Sequence, residues 1–145
     1  MNDAMRKVPD HLFFATGLPE ALVAEAWAAG RREIGGLLLG REPGRVRRFV
    51  SLPNAAARPD EHFRADLPAL VRALNMARRS GWRLEGLFHS HPSAPPRPSP
   101  YDMKHCMEDL PLLLVGSGTP ALRGYIRRGA TWLEIRLAAW NEMDG

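Results

Sequence analysis

Two histidines one residue apart, His89 and His91, are the feature that most restricts how this chain can fold. They follow the apolar pair Leu87-Phe88, at the end of a strand predicted over residues 82–89. Because side chains alternate between the two faces of a strand, residues i and i+2 point to the same side. Both imidazoles can therefore reach one ion, and neutral imidazole is a good zinc ligand.

The segment after the histidines offers a carboxylate that can join them. Residues 93–100 contain four prolines, which predicts a stiff, extended loop that carries the chain back across the histidines. Asp102 follows this loop and can complete a three-ligand set that leaves a fourth position for water. Ser99 and Asp102 also match a capping box, in which a serine and an acid three residues later cap a helix. These local patterns leave both roles open, and the two roles are compatible.

The rest of the chain alternates predicted helices and strands. Hairpins are predicted at 34–52 and 122–137, helices at 17–29, 66–79 and 100–109, and single strands at 12–15, 82–89 and 112–115. This order, in a chain of 145 residues without repeats or linkers, predicts one domain spanning 1–145. The predicted fold class is α/β (α+β), with a central mixed β-sheet flanked by helices.

Helical periodicity predicts which side chains of the first two helices are buried. The predicted stripes are Leu22, Val23, Ala26 and Trp27 in the first helix and Leu67, Leu70, Val71 and Leu74 in the second. Cys106 is the single cysteine, which excludes an intramolecular disulfide and a cysteine-rich zinc site. It is expected to be a small packed residue in the middle of the third helix.

Composition restricts the partners and the compartment. The formal net charge of +4 arises from arginines that often occur in pairs, such as Arg31-Arg32. Neither interleaved aromatic residues nor a nucleic-acid motif accompanies them, so solvated surface is favoured and nucleic acid is not expected as a partner. The apolar segment 12–15 is too short for a signal-peptide core, and no run approaches the roughly 20 residues of a membrane span. A soluble, cytoplasmic protein without a membrane partner is therefore expected.

A hydrolytic metal site also needs a base that accepts a proton from the attacking water. Glu33, Glu42 and Glu85 are the candidates. Glu33 stands at the mouth of an apolar strand, Glu42 lies in a predicted turn, and Glu85 has the strand parity of the histidines. The spacing of these residues does not select one of them.

Three segments form one ordered pattern: Glu33-Ile-Gly-Gly-Leu-Leu-Leu-Gly40, His89-Ser-His-Pro92 and Ser99-x-x-Asp102. This pattern resembles the JAMM motif of the MPN+ (JAB) metalloproteases, which has a glutamate before an apolar Gly-Leu-Leu-Gly strand, then His-x-His-Pro, then Ser-x-x-Asp. All five signature positions are present in order, and the similarity extends from Pro19 to Leu137. The resemblance implies a single MPN/JAB-like (cytidine-deaminase-like) domain of the compact bacterial type.

The resemblance also implies a role for each signature residue. His89, His91 and Asp102 would bind one zinc ion per chain, with water in the fourth position. Glu33 would be the general acid/base that acts on this water, so analogy selects it among the three glutamates. Ser99 would help to stabilise the oxyanion of the tetrahedral intermediate.

Relatives of this kind are peptidases or isopeptidases that cut after the C-terminal Gly-Gly of ubiquitin-like proteins. The resemblance therefore implies, as a partner, a ubiquitin-like or sulfur-carrier β-grasp protein with an extended C-terminal tail. Some such enzymes accompany E1- and E2-like proteins in conjugation operons, including antiviral ones. Residues 54–64 and 93–98 are expected to form the walls of the groove for the tail. Two alternatives stay open: a non-catalytic MPN scaffold, and a zinc hydrolase of another amide substrate.

Overall fold

The chain folds around a central β-sheet. The structure is a computed structural model and describes residues 10–140. The elements are β1 His11–Ala15, α1 Leu18–Ala28, β2 Gly35–Gly40, β3 Arg45–Val46, β4 Arg48–Leu52, α2 Leu67–Arg79, β5 Arg83–His91, α3 Pro100–His105, β6 Leu112–Gly116, β7 Leu122–Arg128 and β8 Thr131–Trp140. The predicted order of helices and strands is confirmed. The structure adds the two-residue strand β3, which interrupts the first predicted hairpin.

The sheet is mixed, as predicted, and strongly curved. Among the described residues its strand order is β3-β1-β8-β7-β6-β5-β2-β4. β5 and β6 are parallel, as are the pairs that β1 makes with β3 and β8, and the other neighbours are antiparallel. Only Arg47 separates β3 from β4, so the two ends of the strand order lie next to each other. The sheet must therefore bend back on itself.

Successive residues of β5 face opposite sides of the sheet and divide the core into two layers. Phe88 points towards α1, where it belongs to the same apolar cluster as Leu38 and Leu113. Leu87 points to the other side, where α2 and the end of α3 pack. His89 and His91 share the parity of Leu87, so they emerge on the side of α3.

The first helix buries a narrower stripe than predicted. α1 follows Gly17, whose φ of 85° lies in the left-handed region that glycine tolerates. Leu22 and Ala26 are buried against the sheet, and Val23 packs at the edge of this cluster. Trp27 was predicted to be buried, and this is wrong, because 76% of it is exposed. A helix turns by about 100° per residue, so the side chain after Ala26 points away from the sheet.

The second helix also buries a narrower stripe of side chains than predicted. Asp66 caps α2 as predicted, because its Oδ2 accepts a backbone hydrogen bond from the first turn at 3.1 Å. Leu70 and Leu74 pack on the sheet, whereas Leu67 and Val71 are exposed, contrary to the predicted stripe. α2 packs on the part of the sheet formed by β2, β4 and β5, through Leu70, Ala73, Leu74 and Ala77.

The third helix is shorter than predicted. It ends at His105 instead of continuing towards Asp109, and Cys106 is its extended C-cap residue, not a mid-helix one. The carbonyl of Cys106 accepts hydrogen bonds from Nε and Nη2 of Arg127 at 3.2 and 2.9 Å. These bonds hold the chain against β7 and prevent another helical turn. None of the helices in the described range is long and apolar enough to cross a membrane.

Candidate metal centre

The C-terminal end of β5 carries two of the predicted ligand residues. His89 and His91 both lie within the strand, and both are buried. Their ring centroids are 5.1 Å apart, so the two imidazoles lie side by side. The structure thus brings them together on one face, as the two-residue period of a strand requires.

Asp102 lies in the first turn of α3 and faces both imidazoles. Its Oδ1 is 2.9 Å from Nε2 of His89, and its Oδ2 is 3.3 Å from Nε2 of His91. Oδ2 also accepts a hydrogen bond from the backbone N–H of Ser99 at 2.8 Å, and Oγ of Ser99 accepts the N–H of Asp102 at 3.1 Å. The capping box is therefore complete, and it holds the carboxylate towards the histidines. The same position of Asp102 therefore suits both roles that the sequence left open, capping of the helix and binding of a metal ion.

Glu33 reaches the same place from a distant part of the chain. It is buried just before β2, and its carboxylate and the ring nitrogens of the two histidines include ligand atoms within 4.8 Å of one another. Its backbone N–H donates to the carbonyl of Pro59 at 2.8 Å, and its own carbonyl accepts from Nδ2 of Asn54 at 2.9 Å. The loop between β4 and α2 therefore fixes Glu33 from both sides.

The other two glutamate candidates lie elsewhere. Glu85 has the parity of the histidines, but it precedes His89 by four residues, roughly 13 Å along a strand. Its Oε1 accepts the N–H of Gly44 at 2.9 Å. Glu42 is exposed in a turn, where it pairs with Arg45 at 3.4 Å. Of the three glutamates, Glu33 is the one that the fold brings to the histidines.

The donor set fits a divalent metal ion. Nε2 of His89 is buried and makes no hydrogen bond of acceptable geometry within the described residues, although Oδ1 of Asp102 is 2.9 Å away. The two atoms are close, but no hydrogen bond joins them. This arrangement is expected when the lone pairs of both atoms point at a shared cation. Two imidazoles and one carboxylate are ligands of catalytic zinc sites, which keep one position open. His89, His91 and Asp102 are therefore the residues that could hold such an ion.

Burial and charge act differently on the two carboxylates. Burial raises the pKa of Glu33 from an ordinary 4.5 to about 7, although the charge of His91 opposes the rise. Burial would also raise the pKa of Asp102, but the two histidines beside it and the backbone N–H of Ser99 hold it well below its usual range. Burial would lower the pKa of His91, yet Asp102 and Glu33 outweigh it and the pKa is raised. Asp102 is thus ionised at neutral pH, where Glu33 can both gain and lose a proton.

The loop between β4 and α2, predicted as one wall of a groove, covers one side of the centre with aromatic rings. Phe63 stacks on His89 with a centroid distance of 6.2 Å. This approach requires Gly35, because a Cβ there would lie 2.5 Å from the Phe63 ring. Further out, Tyr101 stacks on His62 at 4.0 Å and joins the loop to α3.

The proline-rich loop, predicted as the second wall, is held against the end of β6. The hydroxyl of Tyr125 donates to the carbonyl of Pro96 at 2.9 Å, and the N–H of Ser117 donates to the carbonyl of Ala94 at 2.9 Å. A Cβ on Gly116 would lie 2.4 Å from the backbone nitrogen of Pro96, so only glycine lets the loop pass this closely.

Sequence reasoning missed three residues that build the centre: Asn54, Phe63 and Ser90. Oγ of Ser90 accepts the N–H of Ile34 at 2.9 Å and so ties the segment that carries Glu33 to β5. Asn54 and Phe63 lie in a loop without periodicity, so no pattern marks them. Ser90 had a positional signal, because it stands between the two histidines and points to the opposite face.

Cys106 adjoins the centre without taking a reactive form. Its Sγ forms a second group with ligand atoms of His89 and Asp102, all within 4.8 Å of one another. Burial raises the pKa of its thiol to about 12, the charge of Asp102 adds to the rise, and Arg127 opposes it. The thiol therefore stays protonated at neutral pH, which agrees with the expected role of a packed residue.

Known proteins are similar in sequence to most of this chain. A family model described as prokaryotic homologs of the JAB domain matches residues 16–128. The chain belongs to this prokaryotic JAB family. It is a member of the JAMM/MPN+ group and a hydrolase of that type, which removes the non-catalytic scaffold alternative.

One curated protein and several solved structures are similar to this chain. The chain is 34% identical over 115 residues to a probable TtuB-protein conjugate cleaving protease of Thermus thermophilus, covering 79% of this chain and 75% of the relative. A solution structure from Desulfitobacterium hafniense has a TM-score of 0.80 and 29% identity, covering 90% of this chain and 94% of that one. A structure described as a metalloprotease-like JAMM zinc site in the proteasome and signalosome has the same fold, with a TM-score of 0.57, 19% identity, and coverage of 89% and 97%.

Proposed function

We propose that the protein is a zinc-dependent isopeptidase or peptidase that cleaves after the C-terminal Gly-Gly of a ubiquitin-like β-grasp protein. The observation that carries this proposal is the convergence of Glu33 on the buried set of two histidines and Asp102. The Thermus relative, described as cleaving TtuB-protein conjugates, supports a ubiquitin-like or sulfur-carrier partner. Cleavage would release the partner from a conjugate or mature its precursor.

The reaction is the hydrolysis of an amide. Water adds to the carbonyl carbon, the C–N bond breaks, and the proton lost by the water ends on the leaving nitrogen. A zinc ion held by His89, His91 and Asp102 would supply Lewis acidity. Glu33 would take the proton from the water and return it to the amine. In the metal-free protein, burial raises its pKa to about 7, so the group is suited to exchange a proton near neutral pH.

Ser99 would stabilise the oxyanion. Its Oγ already accepts the N–H of Asp102 at 3.1 Å, so its own hydrogen can point to another acceptor. The capping box fixes this hydroxyl beside the ligand carboxylate. A donor that is oriented in advance stabilises the negative charge that develops on the carbonyl oxygen.

A Gly-Gly tail suits the approach to this centre. Glycine has no side chain, so an extended tail can enter between the ring of Phe63 and the proline-rich loop 93–98. A cytoplasmic location, and a conjugation or antiviral operon with E1- and E2-like proteins, stay predictions.

Replacing Glu33 with glutamine tests the proposal. The variant should keep about one zinc ion per chain, measured by elemental analysis after dialysis, because the three ligands are unchanged. Its cleavage of a bacterial β-grasp protein fused through Gly-Gly to a reporter should fall by about 10²- to 10⁴-fold. The matched control, Glu42→Gln in an exposed turn, should keep both properties. Full activity in zinc-loaded Glu33→Gln, or wild-type protein that binds no zinc, contradicts the proposal.

A further inference from the structure

One side-chain amide, that of Asn54, joins the segment that carries Glu33 to the loop between β4 and α2. Its Nδ2 donates to the carbonyl oxygens of Glu33 and His62, both at 2.9 Å, and to that of Pro59 at 3.3 Å. The carbonyl of Pro59 also accepts the backbone N–H of Glu33 at 2.8 Å. Both main-chain polar groups of Glu33 are therefore bound within one cluster around this amide.

The acceptor end of the same amide binds the loop itself. Oδ1 of Asn54 accepts the backbone N–H groups of Ala56 and Arg64 at 3.0 and 3.2 Å. Exchanging Oδ1 and Nδ2 would place an oxygen against three carbonyl oxygens and an NH₂ group against two N–H groups, so the orientation of the amide is fixed. A side chain that lacks either end leaves some of these backbone groups without their partner.

Glu33 depends on such a support because it belongs to neither a helix nor a strand. It lies in the connection between α1 and β2, where no ladder of hydrogen bonds holds its main chain. On its C-terminal side, Ile34 exchanges two hydrogen bonds of 2.9 Å with Ser90. Asn54 supplies the hold on Glu33 itself. Displacing a reacting group by about 1 Å from its productive geometry can cost about 10²-fold in rate, so this hold matters for a base.

We propose that Asn54 is a positioning residue for the acid/base, which holds the carboxylate of Glu33 at the metal centre through the main chain of Glu33. This inference rests on the proposed function and adds a residue to its machinery. The nearby wall residue Phe63 has contacts of its own, because it packs on Gly35 and stacks on His89. The metal ligands lie on β5 and α3. Loss of Asn54 should therefore lower kcat and leave KM and zinc binding nearly unchanged.

Kinetics in two backgrounds test this role. Asn54→Ala should lower kcat for a β-grasp protein fused through Gly-Gly to a reporter by about 10- to 100-fold, with KM and zinc content kept. In the Glu33→Gln background it should change the residual kcat by less than about twofold, because a residue that acts only through Glu33 has nothing left to position. The control Asn75→Ala removes a half-buried asparagine of α2 that accepts from Arg78, and it should change neither rate. Equal losses in both backgrounds, or an unchanged kcat of Asn54→Ala, would overturn the proposal.

A second variant, Asn54→Asp, separates the two ends of the amide and serves if Asn54→Ala does not fold. It keeps an acceptor for Ala56 and Arg64 and loses the donor that binds the carbonyl of Glu33. We therefore expect it to lose about as much kcat as Asn54→Ala. A wild-type kcat in this variant would show that the donor is not needed and would contradict the proposal.

Amide hydrogen exchange of the metal-free protein tests the hold on Glu33 without catalysis. The N–H of Glu33 should exchange about tenfold faster in Asn54→Asp than in the wild type, whereas that of Ile34, which is bound to Ser90, should not change. Unchanged exchange at Glu33, or equal acceleration at both amides, would refute a specific hold by Asn54. If the zinc-loaded wild type cleaves no substrate, the proposed function fails, while this measurement still decides whether Asn54 holds Glu33.

Discussion

Replacing Glu33 with glutamine should stabilise the metal-free protein above neutral pH, although it removes the proposed acid/base. Burial raises the pKa of Glu33 from 4.5 to about 7, so the folded state holds this proton more strongly than the unfolded state does. The contribution of Glu33 to the stability of the wild type therefore falls as the pH rises from 4.5 to about 7 and is constant above that range. Glutamine resembles the neutral carboxyl group, so its benefit should grow over the same interval.

The magnitude follows from the two pKa values of Glu33. At 1.36 kcal/mol per pH unit, the difference between 4.5 and about 7 sets an upper value of about 3 kcal/mol. Solvent that reaches the carboxylate in its cleft screens the charge, so we expect about 1–2 kcal/mol in the free energy of unfolding. The cost of burying the amide itself is the same at every pH and cancels in the comparison.

Urea denaturation with a chelator present measures this difference. The free energy of unfolding of Glu33→Gln and wild type is compared below pH 4.5 and above pH 7, the bounds set by the two pKa values. Glu42→Gln, in an exposed turn, reports the effect of removing a carboxylate that is not buried. If Glu33→Gln changes stability equally at both pH values, or destabilises the protein more at the higher one, the reasoning from burial is refuted.

Further substitutions test one wall of the centre and the capping box beside it. Gly35→Ala places a Cβ 2.5 Å from the Phe63 ring, so we expect a loss of about 1–3 kcal/mol in urea denaturation, partly restored by Phe63→Leu. An unchanged unfolding midpoint would contradict that contact. Asp102→Ala and Ser99→Ala each break the capping box, and Ser99→Ala should cost about 1 kcal/mol in chelated protein. Asp102→Ala should cost more, because it also removes the buried partner of both histidines. Only Asp102→Ala should also lose the bound metal in elemental analysis, and metal loss in both variants would argue against the carboxylate as the ligand.

The parts of the centre that depend on local periodicity could be predicted from the sequence. The common face of His89 and His91 follows from the alternation of side chains along a strand, which tertiary packing does not alter. The capping box of Ser99 and Asp102 lies within four consecutive residues and forms as soon as the helix does. Both features were expected before any contact between distant segments was known.

The corrections concern contacts that local periodicity does not contain. Trp27, Leu67 and Val71 have the spacing of buried helical residues and are exposed, because the width of a buried stripe depends on how much sheet lies beneath the helix. The early end of α3 depends on Arg127, which comes from a strand 21 residues later. The sequence of a helix alone indicates neither the width of its buried stripe nor a contact that ends it early.

Glu33 shows most clearly which features the sequence determines and which features depend on the tertiary structure. The sequence by itself determined that a carboxylate precedes an apolar strand, that two histidines share a strand face, and that an aspartate caps the next helix. Analogy selected Glu33 among three glutamates, but only the tertiary structure placed it, through antiparallel pairing of β2 with β5 and the bond from Ile34 to Ser90. The physical reason is that spacing along the chain specifies direction within one element, whereas burial and distance between elements arise when the sheet is assembled. The raised pKa of Glu33 and the exposure of Trp27 are both products of that assembly.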